Sequence, residues 1–164
     1  MLLPICMAKA TKKILVVEDN DNCRELLALF IKRLGYEVVE AATGLQAIER
    51  ACAVHPDLIM MDIGLPGMAG DEATVCLKAN PATQEIPVII NTAFAIGSQT
   101  KCALDAGAVE ILHKPFPLAM LCDVLSKYLS GEDERKVTVA NVKLSNYRSQ
   151  TRVEKASPQA KSSL

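Results

Sequence analysis

Runs of four or five mostly apolar residues alternate five times with longer stretches whose apolar residues recur at helical spacing. The short runs read as strands buried on both faces: Lys13–Val17, Tyr36–Glu40, Asp57–Met61, Val88–Asn91 and Ala108–Leu112. Each is followed by a predicted helix. The first opens at Asn20 or Asp21, either able to cap it, and carries Leu26, Leu27, Phe30, Ile31 and Leu34 as its stripe, with Gly35 as C-terminal cap. Thr43 and Gln46 have capping-box spacing and open the second, which runs to about Val54 before Pro56. The third spans about Met68–Ala79, after a Gly64–Gly67 loop, and stops at Asn80-Pro81. The fourth spans about Ser98–Ala106 before Gly107. The fifth opens at Pro117, with Leu118, Leu121, Leu125 and Leu129 as its stripe; Met120 and Val124 are expected beside it, exposed to a partner.

Apolar strands separated by helices imply an α/β fold, a doubly wound five-stranded parallel sheet with five helices. The strand order 2-1-3-4-5, carried over from the flavodoxin-like arrangement, sets strand one beside strand three. The folded domain is expected over residues 12–130. Residues 1–11 form an N-terminal extension, within which Met7 is an alternative start. Residues 131–164, rich in Ser, Lys, Arg and Gln, read as a flexible tail whose Lys143, Arg148, Arg152 and Lys155 are solvated charges.

Composition narrows the function classes. The chain has 164 residues, half of them hydrophobic, and a formal net charge of −1, which offers no electrostatic reason to bind nucleic acid or a membrane surface. The apolar start, Met1–Met7, is too short for a signal-peptide core, and no apolar run reaches membrane-spanning length, so a cytoplasmic protein is expected. Six cysteines include no Cys-x-x-Cys pair and read as small core-filling thiols in a reducing compartment. His55 and His113 have no ligand partner at useful spacing and read as structural or exposed.

The chemistry lies at the strand ends. Glu18 and Asp19 follow the first strand, Asp62 the third, Thr92 the fourth and Lys114 the fifth. Charged groups beside an apolar core are costly to desolvate unless they share a site, and parallel strands deliver their C-terminal ends to one edge. Three converging carboxylates repel unless a cation joins them. Mg²⁺ suits such an oxygen site, and Asp62 can then serve as nucleophile toward a phosphoryl group, with Lys114 and the Thr92 hydroxyl as donors to its oxygens.

Read together, Val-Val-Glu18-Asp19-Asn, Met-Asp62-Ile-Gly-Leu-Pro66-Gly-Met, Asn91-Thr92-Ala-Phe-Ala and His-Lys114-Pro115-Phe resemble the receiver domain of two-component response regulators, over about Lys12–Ser130. The resemblance implies a stand-alone receiver in which Asp62 accepts a phosphoryl group from a sensor histidine kinase or a histidine phosphotransfer protein. It implies Mg²⁺ held by Asp19, Asp62 and the Gly64 carbonyl, with Glu18 acting through water. It implies phosphoryl contacts from Thr92, Ala93 and Lys114, and a cis bond before Pro115. Output is expected by contact with a protein effector through helix four, strand five and helix five. One position departs from the pattern: Ile111 stands where the family often has Tyr or Phe, which implies either a smaller output change or coupling of the Thr92 movement through other groups such as Phe94 or His113.

Other functions fit less well. An aspartyl-phosphate phosphatase of haloacid-dehalogenase type needs a second Asp two residues after the nucleophile, and here Gly64 has no proton to give. Slow self-dephosphorylation, rather than enzyme turnover, is the expectation. An unphosphorylated receiver-like interaction module would lack part of the acid cluster, which this chain keeps. No Gly-x-Gly-x-x-Gly follows strand one, so dinucleotide binding is disfavoured.

Overall fold

A computed structural model describes residues 11–93 and 97–129. The expected extension and tail, and Phe94, lie outside the described residues. Two compact units divide the chain: Met1–Phe116 carries the sheet and the first four helices, and Pro117–Leu164 carries the fifth.

In the first unit, β1 (Lys13–Val17), β2 (Glu37–Ala41), β3 (Leu58–Met61), β4 (Val88–Thr92) and β5 (Glu110–His113) form one parallel sheet in the order β2-β1-β3-β4-β5. The expected doubly wound arrangement is therefore the observed one. Ile14–Val17 pairs with Val38–Ala41 on one side and Leu58–Met61 on the other, so Val17 and Met61 end their strands side by side. Ile14–Val17, Leu58–Met61 and Val88–Thr92 are buried throughout, as both-face coverage requires, whereas the edge strands β2 and β5 are only partly buried, against the expectation for all five. Because side chains alternate across the pleat, Leu15, Val17, Ile59, Met61, Val88 and Ile90 point to one face, where they join Ala47, Ala51, Ala73, Leu77 and Ala103 of the helices in a single core.

The helices are α1 (Asp21–Arg33), α2 (Gly44–Val54), α3 (Gly70–Ala79), α4 (Gly97–Asp105) and α5 (Leu118–Leu129). Asn20 caps α1 through the Cys23 amide, and Gly35 takes the left-handed conformation that follows its end. Thr43 caps α2 through the Gln46 amide, but the Gln46 side chain reaches past Thr43 to the Ala42 N–H, one residue beyond a regular capping box. The third strand starts at Leu58 instead of Asp57. The Asp57 carboxylate instead binds Lys12 Nζ and the Lys13 N–H, both at 2.8 Å, tying the start of β1 to the start of β3. Burial pushes the Asp57 pKa up, but these bonds and the two lysine charges outweigh it and hold the group below its ordinary value. β5 starts at Glu110, because Ala108 N–H still bonds to Ala103 at the close of α4.

Three expectations about faces are corrected. Leu26 stands exposed on α1 and Leu34 just past its end, while the inward residues are Leu27, Ala28 and Ile31, so the five apolar positions exceed the buried face. In α5, Leu121, Leu125 and Leu129 are buried as expected, but Leu118 is exposed at the first position of the helix; Met120 is exposed, whereas Val124 is buried. Among the described residues the cysteines do not fill the core: Cys23, Cys76 and Cys102 are exposed, Cys52 and Cys122 half-buried, while Cys6 lies outside the described residues. Alanines take the small-residue positions instead, because they let helices approach the sheet closely.

Gly70 shows the same close approach at the loop after β3. It opens α3, its N–H donates to Ile63 at 3.0 Å, and a side-chain carbon on it would collide with the Asp62 carbonyl oxygen and lie 2.8 Å from the Asp62 carbonyl carbon. Gly70→Ala is therefore expected to destabilise the protein by about 2 kcal/mol, the usual cost of overpacking, and to displace the loop bearing Asp62. Urea denaturation measures the first effect, and amide chemical shifts of residues 61–65 the second.

Candidate functional site

Each strand of the sheet's middle delivers one polar group to the C-terminal edge. Glu18 leaves β1 with its N–H bonded to Ala41 O at 3.1 Å, and Asp62 leaves β3 with its N–H bonded to Val17 O at 3.0 Å. Both side chains are nearly enclosed, at 4% and 8% relative exposure, while Asp19 faces solvent. Thr92, fully buried, ends β4 opposite His113, and its carbonyl accepts from the Lys114 N–H at 2.8 Å. Thr92 and Lys114 are thus joined through the backbone. The Lys114–Pro115 peptide is cis.

The Lys114 ammonium forms an ion pair with Glu18 and reaches Asp62 Oδ2 at 3.2 Å. Its own burial works against the charge. The hydrogen bond to Glu18 and the attraction of Asp62 and Glu18 outweigh that, and the pKa is raised. The ammonium therefore stays charged throughout the neutral range and is lost only above the ordinary lysine value. Further bonds brace the acidic edge. Gly64 N–H donates to Asp62 Oδ1 at 3.3 Å, Asn20 N–H to Glu18 Oε1 at 3.4 Å, and the Arg24 guanidinium to the Glu18 carbonyl at 2.8 Å.

Carboxylate oxygens of Glu18, Asp19 and Asp62 lie within 4.8 Å of one another, the one such grouping among the described residues able to hold a metal ion. Three carboxylates against one ammonium leave two uncompensated negative charges, which fits a hard divalent cation with oxygen ligands. Lys114 engages both Glu18 and Asp62, and Asp19 is the exposed member of the three.

Of the side chains that sequence reasoning named, the fold brings Glu18, Asp19, Asp62 and Lys114 together; Thr92 is tied to Lys114 through its backbone carbonyl, Gly64 N–H bonds to Asp62, and Ala93 follows Thr92. Ile111 sits half-buried against the core, one strand turn before His113, and His55 and His113 are exposed. Two residues were missed. Arg24 carries no motif, although an arginine one helical turn into α1 is well placed to reach back to the strand end. Gly70 is signalled only by a glycine opening a helix after the acidic loop.

A parallel sheet with an acid triad and a lysine at its C-terminal edge defines a phosphoacceptor class, and the comparisons agree. The sequence profile of the response regulator receiver domain matches residues 14–126, and the chain belongs to that family. The polar-differentiation response regulator DivK of Brucella ovis is 36% identical over 119 residues, spanning 73% of this chain and 97% of that protein. The Brucella anthropi DivK is 35% identical, spanning 72% and 96%. Among solved structures, the receiver domain of a Pseudomonas aeruginosa sensor histidine kinase, with a magnesium ion coordinated in its active-site cleft, is 34% identical with a TM-score of 0.70, covering 74% of this chain and all of that one. A chemotaxis protein of Vibrio cholerae is 28% identical with a TM-score of 0.69, covering 73% and 100%. Family and relatives support a phosphoacceptor signalling function. No helix among the described residues is long and apolar enough to cross a membrane.

Removing the ammonium should expose the charge balance. Lys114→Gln is expected to lower the thermal midpoint in metal-free buffer, because Glu18 and Asp62 then lose their partner. Added Mg²⁺ should raise the midpoint of the variant more than that of the parent, and EDTA should reverse it. Thermal unfolding across a Mg²⁺ titration measures this; equal Mg²⁺ responses would contradict the proposed balance.

Proposed function

We propose that the protein is a phosphorylation switch in which Asp62 takes a phosphoryl group from a phosphohistidine, on a sensor histidine kinase or a histidine phosphotransfer protein. The observation that carries this reading is the convergence of Asp62, Glu18, Asp19 and Lys114 at one sheet edge. An Asp62 carboxylate oxygen attacks phosphorus, the bond between phosphorus and the imidazole nitrogen breaks, and the nitrogen keeps the electron pair. Asp19, Asp62 and the Gly64 carbonyl would hold Mg²⁺, with Glu18 acting through water. When bound, the ion would supply neutralising charge for the phosphoryl oxygens. Lys114 offers its ammonium to one of those oxygens, and the Thr92 hydroxyl and the Ala93 N–H offer donors to others.

The protein is not proposed to turn over other substrates. Gly64, two residues after Asp62, has no side chain that could take a proton from a water attacking the acyl phosphate, so the phosphorylated state decays slowly by itself. The phosphodonor is expected to dock on α1. Its Leu26 is 53% exposed and its Leu29 44% exposed, an apolar strip on the helix that starts directly after the acidic pair. Output is expected by protein–protein contact through α4, β5 and α5. The DivK relatives are covered almost end to end by this chain, which supports a switch whose receiver domain itself contacts the effector. Leu104 offers an exposed apolar group on α4. With Ile111 in place of an aromatic residue, the coupling from Thr92 to that face runs through the Thr92–Lys114 backbone bond or other neighbours.

Beryllofluoride with Mg²⁺, a mimic of the phosphoryl group, is expected to shift the amide resonances of Thr92 and α4, and Asp62→Asn to abolish the shift. Leu26→Asp should slow transfer from a phosphohistidine donor about tenfold, as loss of a docking anchor does. It should leave phosphorylation by the small donor phosphoramidate unchanged. An unmoved spectrum in the parent protein would refute the switch.

A further inference from the structure

Asn91, one residue before Thr92, is fully buried near the C-terminal end of β4, and neither its side-chain oxygen nor its side-chain nitrogen finds a hydrogen-bond partner among the described residues. Its neighbours make this unusual. Val88, Ile89 and Ile90 precede it in β4, Ile90 pairs with Met61 of β3, and Asn91 itself stands opposite Leu112 of β5. By the alternation of the pleat it shares a face with Ile89, opposite the face that carries Val88 and Ile90. An amide with one acceptor and two donors, enclosed and without a protein partner among Ile, Leu and Met, raises the free energy of the conformation that holds it. Any conformation in which the end of β4 shifts enough to give that amide a partner is favoured by the same amount.

We propose that Asn91 is a positioning residue of the switch. Its stranded amide destabilises the resting arrangement of β4 and gains a hydrogen-bond partner when the phosphoryl group draws the neighbouring Thr92, so it biases the protein toward the phosphorylated conformation. This rests on Asp62 being the phosphoacceptor. It assigns a role to a buried side chain that touches neither the metal nor the phosphoryl group. The residue acts through the backbone it shares with Thr92, whose carbonyl already holds the Lys114 N–H.

The test compares the parent with Asn91→Val, an apolar replacement suited to a strand, and Asn91→Thr, which keeps the valine shape and restores one hydroxyl. Thermal midpoints are measured with and without beryllofluoride and Mg²⁺, and beryllofluoride affinity by titration of the Thr92 amide resonance. Asn91→Val is expected to raise the resting midpoint by several degrees. It should also weaken apparent beryllofluoride affinity about tenfold, with Asn91→Thr in between. An affinity unchanged by Asn91→Val would overturn the proposal, since the amide would then be stranded equally in both states. A lowered resting midpoint would also overturn it, because the amide would then be satisfied in the resting protein, as by an enclosed water. If the parent itself fails to bind beryllofluoride, the phosphoacceptor reading falls, and that result is separate from either of these.

Discussion

The ammonium of Lys114 between Glu18 and Asp62 is the contact on which the site depends. Two carboxylates this enclosed, with Asp19 beside them, repel at close range, and a single cation on the last strand of the sheet holds them together. The sheet topology makes the contact possible. β1 and β3 are neighbours in register up to Val17 and Met61, so the residues that follow emerge together. β5 lies two strands away from β3, and the long lysine side chain spans the distance. Without the crossover that places β1 between β2 and β3, the same residues would lie at different places along the edge.

The arrangement is braced from outside the charged groups. Gly70 lets α3 begin against the carbonyl of Asp62, Arg24 holds the turn after β1, and the Thr92 carbonyl fixes Lys114 through its backbone. These contacts set the positions of the reacting groups before any ligand arrives, which is how a site limits the entropy lost when a phosphoryl donor binds.

Strands, their order and the charged cluster were legible in the sequence because they follow from strong rules. A strand buried on both faces leaves little room for polar residues, so Ile14–Val17, Leu58–Met61 and Val88–Ile90 stand out, and the charges that follow them mark the edge. The order itself came with the flavodoxin-like precedent. Which side of a helix faces inward was less legible. Leu26, Leu34 and Leu118 have the hydrophobicity and spacing of core residues, and only the approach of neighbouring elements decides that they stay exposed. The cysteines were misread because a free thiol's habit of burial says nothing about a particular helix face. Asn91 read as a strand end beside Thr92; that its amide is buried and unpaired depends on packing in three dimensions.

Chemical modification of one carboxylate tests the central claim most directly. The protein is incubated with phosphoramidate and Mg²⁺, the acyl phosphate is trapped by borohydride reduction, and the modified residue is located by peptide mass spectrometry. Reduction at Asp62, lost in the absence of Mg²⁺, is the expected result. Modification at Asp19 or Glu18, or none at any carboxylate of the cluster, would contradict the assignment of Asp62 as the acceptor.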